Sequence, residues 1–224
     1  MGETGCSRFQ ALFRRSPVSF RRDLHNRFLA WFMARSDGKY DAFVGSRKRK
    51  LLSGLTGTLV EIGSGTGPNL RYLPLDLRVV AVEPNPFMYK HFFREAEARD
   101  GPVTLIRGDT ETLPFSDGSV DAVLSSLVLC SVAGLDLALE EILRILKPGG
   151  RFIFMEHVGA PQGSRLRRIQ RLVSPLWRAI GDGCQPDRDT EKNLRRAGFR
   201  RVELERFTAP IPLVSPHIAG VAVK

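Results

Sequence analysis

The segment "TLVEIGSGTGPNL", residues 58 to 70, constrains the fold more than any other part of the 224-residue chain. Three apolar residues among the first five, Leu59, Val60 and Ile62, read as a short buried strand. Glycines at 63, 65 and 67 then allow tight turning and close backbone approach. A strand, a glycine turn and a following helix, predicted over 67–73, place backbone N–H groups at a nucleotide-like cofactor. The spacing is GxGxG. The dinucleotide fingerprint GxGxxG needs a small residue at position 68, where this chain has Pro68. No Gly-Lys-Ser/Thr follows, so a triphosphate loop is excluded.

Downstream, the pattern alternates. Strands are predicted at 58–62, 78–83, 103–108, 120–126 and 151–157, with helices at 67–73, 86–99 and 135–146 between them. "LKPGG" stops the last of these helices. A helix at 187–197 and two strands near 200–207 and 216–223 complete the chain. Alternation of this kind predicts an α/β fold with a parallel sheet covered by helices on both faces. A closing strand pair suits an antiparallel hairpin at the sheet edge.

Charge separates an N-terminal arm from the rest. The formal charge is +10, of which residues 1–50 contribute 12 Lys/Arg against 4 Asp/Glu. In the arm, Phe20, Leu24, Phe28 and Phe32 recur every fourth position beside Trp31, as on one helix face. Pro17 predicts a break, and "SRKRKLL" (46–52) a second basic helix. The division expected is therefore a basic arm or lid over 1–50, with Tyr40 near the pocket, and a catalytic domain over 51–224. An arm that is both basic and apolar suits an anionic membrane surface. A nucleic-acid partner is not expected, because the excess charge lies outside the domain and no recognition module accompanies it.

No run of 18 apolar residues and no signal-peptide pattern is present, so the expectation is a cytoplasmic protein, peripheral on membranes at most. Cys6, Cys130 and Cys184 form no CxxC pair and no zinc spacing. They read as reduced thiols, and no metal is expected.

Acidic residues at strand ends supply the remaining contacts for a cofactor. Glu83 ends the second strand, 20 residues after Gly63, where a carboxylate accepts from ribose hydroxyls. Asp109 and Thr110 follow the third strand, where an acid accepts from an adenine amino group, and "DTET" also reads as a helix cap.

"VEIGSGTG", "VVAVEPN", "GDTETLPFSDGSVDAVLSS" and "EEILRILKPGGRFIFME", in this order over residues 58–157, resemble the class I S-adenosylmethionine-dependent methyltransferases. The resemblance implies a seven-stranded Rossmann-like sheet of order 3-2-1-4-5-7-6 with strand 7 antiparallel. It also implies S-adenosyl-L-methionine as cofactor and S-adenosyl-L-homocysteine as product. Glu61, Gly63, Gly65 and Gly67 would surround the methionine part, Glu83 the ribose, Asp109 and Thr110 the adenine. Leu127 would line the pocket by its backbone. "LVLCSV" (127–132), "MEHV" (155–158), "GDGC" (181–184) and "PHIAGVAVK" (216–224) resemble the narrower methyltransferase-like protein 7 group of thiol S-methyltransferases, which act on small alkyl thiols. Animal members of that group begin with a long apolar segment that anchors them to membranes. This chain begins with the arginine-rich arm instead.

Direct transfer from a sulfonium needs alignment of the acceptor rather than an enzyme nucleophile. A thiol acceptor also needs its proton removed. His157, after the fifth strand, and Asp182, in "GDGC", are the candidate proton acceptors, with His217 of the terminal motif beside them. The alternatives are another small methyl acceptor (a quinone-precursor carbon or a phospholipid amine), a non-catalytic cofactor-binding scaffold, and an NAD-dependent oxidoreductase. Pro68 and the motifs of the fourth and fifth strands speak against the last.

Overall fold

The computed structural model describes residues 11–12 and 20–224. Cys6 and Pro17 lie outside the described residues. Two compact units divide the chain, 1–109 and 110–224.

The first unit holds β1 (Ala11–Leu12), α1 (Phe20–Leu52), β2 (Thr58–Ile62), β3 (Arg78–Val82), α2 (Tyr89–Arg99) and β4 (Val103–Ile106). Its strands are all parallel, with β3 between β2 and β4 and the short β1 outside β4. Val60, Ile62, Val79 and Ala81 are fully buried, as expected for strands covered on both faces. β1 has no counterpart in the sequence-based reading.

The second unit holds β5 (Val120–Ser126), α3 (Leu135–Ile145), β6 (Leu146–His157), α4 (Arg165–Ile180), α5 (Thr190–Arg196), β7 (Arg201–Thr208) and β8 (Pro216–Val223). β5 and β6 are parallel, whereas β8 runs antiparallel between β6 and β7. Counted from β2, the first unit carries strands 3-2-1 and the second 4-5-7-6, which is the expected order with the last strand antiparallel.

Four local expectations change. The helix predicted at 67–73 is a single 3-10 turn, Leu70–Tyr72. Gly67 is left-handed (φ 83°) and Pro68 lacks a donor N–H, so the helix cannot start there. The 86–99 helix likewise opens as a 3-10 turn, Pro86–Met88. The two helices expected in the arm are one, α1, which continues to Leu52. β6 begins at Leu146 rather than 151, because Leu146 already pairs with Val120 and the register shifts by Ala122.

α4 has no counterpart in the sequence-based reading. Ser164 caps it, its Oγ accepting from the Arg167 N–H. The side turned inward is polar. Arg167 pairs with Asp189 at 2.9 Å, and Gln170 bridges the Ala160 N–H and the Leu213 carbonyl. The side turned outward is apolar: Ile169, Leu172, Leu176 and Ile180 are all more than half exposed. This inverts the usual amphipathic pattern.

Candidate active site

In the first unit the glycine turn follows β2. Gly63, Gly65 and Gly67 all have positive φ (58°, 54° and 83°), a region in which side-chain-bearing residues are strained. At Gly67 a Cβ would also approach Phe92 to 3.1 Å, so a side chain there would press on the buried ring as well. Glu83 holds the turn. One of its carboxylate oxygens accepts from the Gly65 N–H and the other from the Asn85 N–H, both at 2.8 Å. Charge-assisted bonds of this kind are the stronger class.

Glu61 is almost wholly buried on β2. Its Oε1 accepts from Asn69 Nδ2 at 2.7 Å, while its Oε2 has no hydrogen-bond partner among the described residues. Burial pushes the Glu61 carboxyl up to about 7, against the lowering bond from Asn69. Ser64 Oγ and Asn69 Oδ1 are also buried without partners among the described residues. Three orphaned acceptors beside a strained glycine turn fit a ligand with an ammonium donor, which the amino-acid end of S-adenosylmethionine has. The 3-10 turn after Pro68 supplies no long helix dipole, and this cofactor carries no phosphate that would need one.

α1 packs against this turn. Met33 Cε lies 3.8 Å from the position of a Cβ on Gly65, and Asn85 Nδ2 donates to the Asn26 carbonyl at 3.1 Å. Asn85 was missed by sequence reasoning; its place two residues after Glu83 was the available signal. Asp109 lies exposed just beyond β4.

The second unit opens with Thr110, which is buried. Leu127 is left-handed (φ 60°), and its N–H donates to the Met155 carbonyl at 2.9 Å. Two loops are tied down around it. Glu156, fully buried on β6, accepts from Ser125 Oγ at 2.5 Å and from the Val128 N–H at 3.1 Å. Arg188 donates to the Leu129 and Val132 carbonyls, both at 2.7 Å, and the Gln185 N–H donates to the Cys130 carbonyl at 2.9 Å.

This clamping brings Cys130, His157 and Cys184 together, with one potential ligand atom of each within 4.8 Å of the others. Both cysteines are free thiols. His157 Nε2 sits 3.1 Å from Cys184 Sγ, which also accepts from Trp177 Nε1 at 3.3 Å. The Cys130 thiol and burial push the Cys184 thiol up, and His157 acts against them. His217 stacks edge-on to His157, with centroids 6.2 Å apart. Burial lowers His217 to about 4, against the raising bond to the Ser215 carbonyl. It is therefore neutral near pH 7 and a weak base. Asp182 is exposed and left-handed (φ 51°) in the loop that carries Cys184. Below this cluster, Val158, Gln162, Lys192, Arg196, Phe207 and His217 help line a cavity of about 840 Å³.

Glu61 makes stability depend on pH in a definite direction. A carboxyl raised in the folded state stabilises the fold fully below its unfolded value, near 4.5, and that contribution is lost as pH rises through about 7. Glu61→Gln removes the loss. Denaturant titrations of the ligand-free chain should find this variant more stable than the parent above pH 7, and about equal to it at pH 4.5. A gap unchanged across that window would contradict the burial of an unpartnered carboxyl.

A methyltransferase-domain family matches residues 60–154. Thiol S-methyltransferase TMT1A of Homo sapiens is 36% identical over 211 residues, covering 88% of this chain and 86% of its own length. TMT1B of Mus musculus is 39% identical over 212 residues, covering 88% and 84%. Among solved structures, the methyltransferase component of the Haloferax volcanii complex with the Trm112 activator superposes with a TM-score of 0.66 at 20% identity. It covers 89% of this chain and 96% of its own and bears on the fold alone. With the strand order and the glycine turn in place, these similarities show that the chain belongs to the S-adenosylmethionine-dependent methyltransferase family that includes TMT1A and TMT1B.

Proposed function

We propose that this enzyme methylates the sulfur of small alkyl thiols. The observation that carries the acceptor is the extent of similarity: identity to two thiol S-methyltransferases runs over 88% of the chain, through both units rather than the cofactor half alone. Glu61, Gly63, Gly65, Gly67 and Glu83 of the first unit are proposed to hold the cofactor, together with Asp109. Thr110 and the backbone of Leu127 are the contributions proposed from the second. Bound S-adenosylmethionine supplies a methyl group already activated by its sulfonium. The protein's part is to hold the acceptor in line and remove its proton.

Among the proton acceptors expected from sequence, His217 is weakened by burial, and the His157 ring already engages Cys184. Asp182 is therefore the free carboxylate candidate. α1, by its contacts with Gly65 and Asn85, is proposed as the lid.

A second reading concerns location. Leu24, Phe28, Trp31 and Phe32 form an exposed apolar stripe on α1, bordered by Arg27 and Arg35, and Arg35 lies over the Trp31 ring at 4.4 Å. α4 exposes Ile169, Leu172, Leu176 and Ile180 beside Arg165, Arg168, Arg171 and Arg178, with no acidic residue in the helix. Apolar faces bordered by arginine suit an anionic lipid surface, α4 more fully than α1, whose first turn carries Asp23. No helix among the described residues is long and apolar enough to cross a membrane.

Two experiments test these readings. Purified chain with S-adenosylmethionine should form S-adenosylhomocysteine with a small alkyl thiol, and not with a quinol precursor or phosphatidylethanolamine. Asp182→Asn should lower kcat about tenfold or more with little change in cofactor affinity, a general-acid/base-sized effect. Turnover with the other acceptors alone would overturn the thiol reading. In flotation assays the chain should bind vesicles rich in phosphatidylserine and lose binding when Leu172 and Leu176 are both changed to Glu. Equal recovery with neutral vesicles would remove the lipid reading.

A further inference from the structure

Cys130, His157 and Cys184 come from three separate places: the loop after β5, the end of β6, and the loop between α4 and α5. Their spacing of 27 residues in each interval matches no sequence pattern for a metal. In the folded unit they converge. Zinc at about 2.3 Å from sulfur and about 2.0 Å from nitrogen requires ligand atoms roughly 3.5–3.8 Å apart. The three atoms here already lie within 4.8 Å of one another, and the nitrogen and one sulfur are at 3.1 Å. Only small side-chain adjustments separate this group from a coordination sphere.

The surroundings are those of a built site. Both loops are fixed by the buried Glu156 and by Arg188, so the ligands are held before any ion arrives. Gly183 is left-handed, and a Cβ there would meet the Ser131 carbonyl at 2.9 Å, so the two cysteine loops approach closely only with glycine at this position. Cys184 Sγ receives an indole N–H from Trp177, an outer bond of the kind that steadies a metal-bound sulfur. His157 is buried, and its other nitrogen, Nδ1, has no partner among the described residues. Two sulfurs and an imidazole are a donor set suited to Zn²⁺ rather than to Mg²⁺ or Ca²⁺.

We propose that Cys130, His157 and Cys184 bind one Zn²⁺ ion and leave its fourth position open to a small thiol. Three protein ligands and one open position are the arrangement of reactive rather than structural zinc. Coordination of R–SH there forms a zinc–sulfur bond and lowers the thiol's hold on its proton, which passes to the Asp182 carboxylate and on to solvent, giving the thiolate that methyl transfer needs. This use of the fourth position rests on the thiol reading above, whereas the metal site itself does not. It also gives His157 a role as ligand instead of base.

The test is a Co²⁺ titration of the full, chelator-treated chain in buffer with a phosphine reductant and no added thiol. The expected result is one Co²⁺ per chain with sulfur-to-cobalt charge-transfer absorption, displaced by one equivalent of Zn²⁺. Ethanethiol should then intensify that absorption. Cys130→Ser with Cys184→Ser should abolish it, and His157→Ala should weaken binding at least about tenfold, with circular dichroism confirming that each variant folds. Absence of the band in the parent chain, or its persistence in the double variant, overturns the metal site. A band that ethanethiol leaves unchanged overturns the thiol position. Undiminished thiol methylation by the metal-depleted chain overturns the zinc's part in the reaction and leaves the thiol reading standing.

Discussion

The Glu83 carboxylate is the interaction on which the cofactor half depends. A glycine turn has wide conformational freedom, and three successive left-handed glycines carry a large entropic cost when ordered. By accepting from the Gly65 and Asn85 N–H groups, Glu83 ties the turn after β2 to the segment after β3. Adjacent parallel pairing makes this geometry available, since Ile62 and Val82 are register partners and Glu83 follows directly. An acid at this strand end therefore orders the turn before any ligand is present. α1 reaches the same turn through Met33 and the segment after β3 through the Asn26 carbonyl.

The second unit solves a different problem. Its loops after β5 and after α4 carry the thiols, and loops are ordinarily the mobile part of a fold. Here the buried Glu156 and the half-buried Arg188 bond the backbone of the loop after β5, and the Gln185 N–H ties the loop after α4 to it through the Cys130 carbonyl. Burial raises the Glu156 carboxyl and lowers the Arg188 guanidinium from their usual values, so both are held at an electrostatic cost. Such expense is reasonable where loop position matters to chemistry. On α4 the inward Arg167 and Gln170 secure the loop at Ala160, while Ile169, Leu172, Leu176 and Ile180 remain exposed.

Much of this was legible in the sequence because buried parallel strands are written as short apolar runs. β2, β5 and the terminal pair β7–β8 lie where alternation and turn residues predicted them, and the order 3-2-1-4-5-7-6 followed from the family motifs. Errors fell where local signals conflict with tertiary ones. Residues 67–73 have helical spacing, but Gly67 and Pro68 cut the helix to one turn. α4 was legible in principle, since Ile169, Leu172, Val173, Leu176 and Ile180 fall at helical spacing, and Pro175 within it is the one local signal against a helix. Of the site, the glycines and acids were readable as a motif. The cysteine–histidine group was not, because nothing in a linear spacing of 27 residues says that two loops and a strand end meet.

The account's central claim is that the turn held by Glu83, with the orphaned carboxylate of Glu61 beside it, is the cofactor seat. Amide hydrogen exchange of the full chain, with and without S-adenosylhomocysteine, tests it most directly. The account predicts that the ligand slows exchange at residues 61–67 and 83–85 and that Glu83→Ala removes this protection. Protection confined to other segments, or none at saturating ligand, would contradict it.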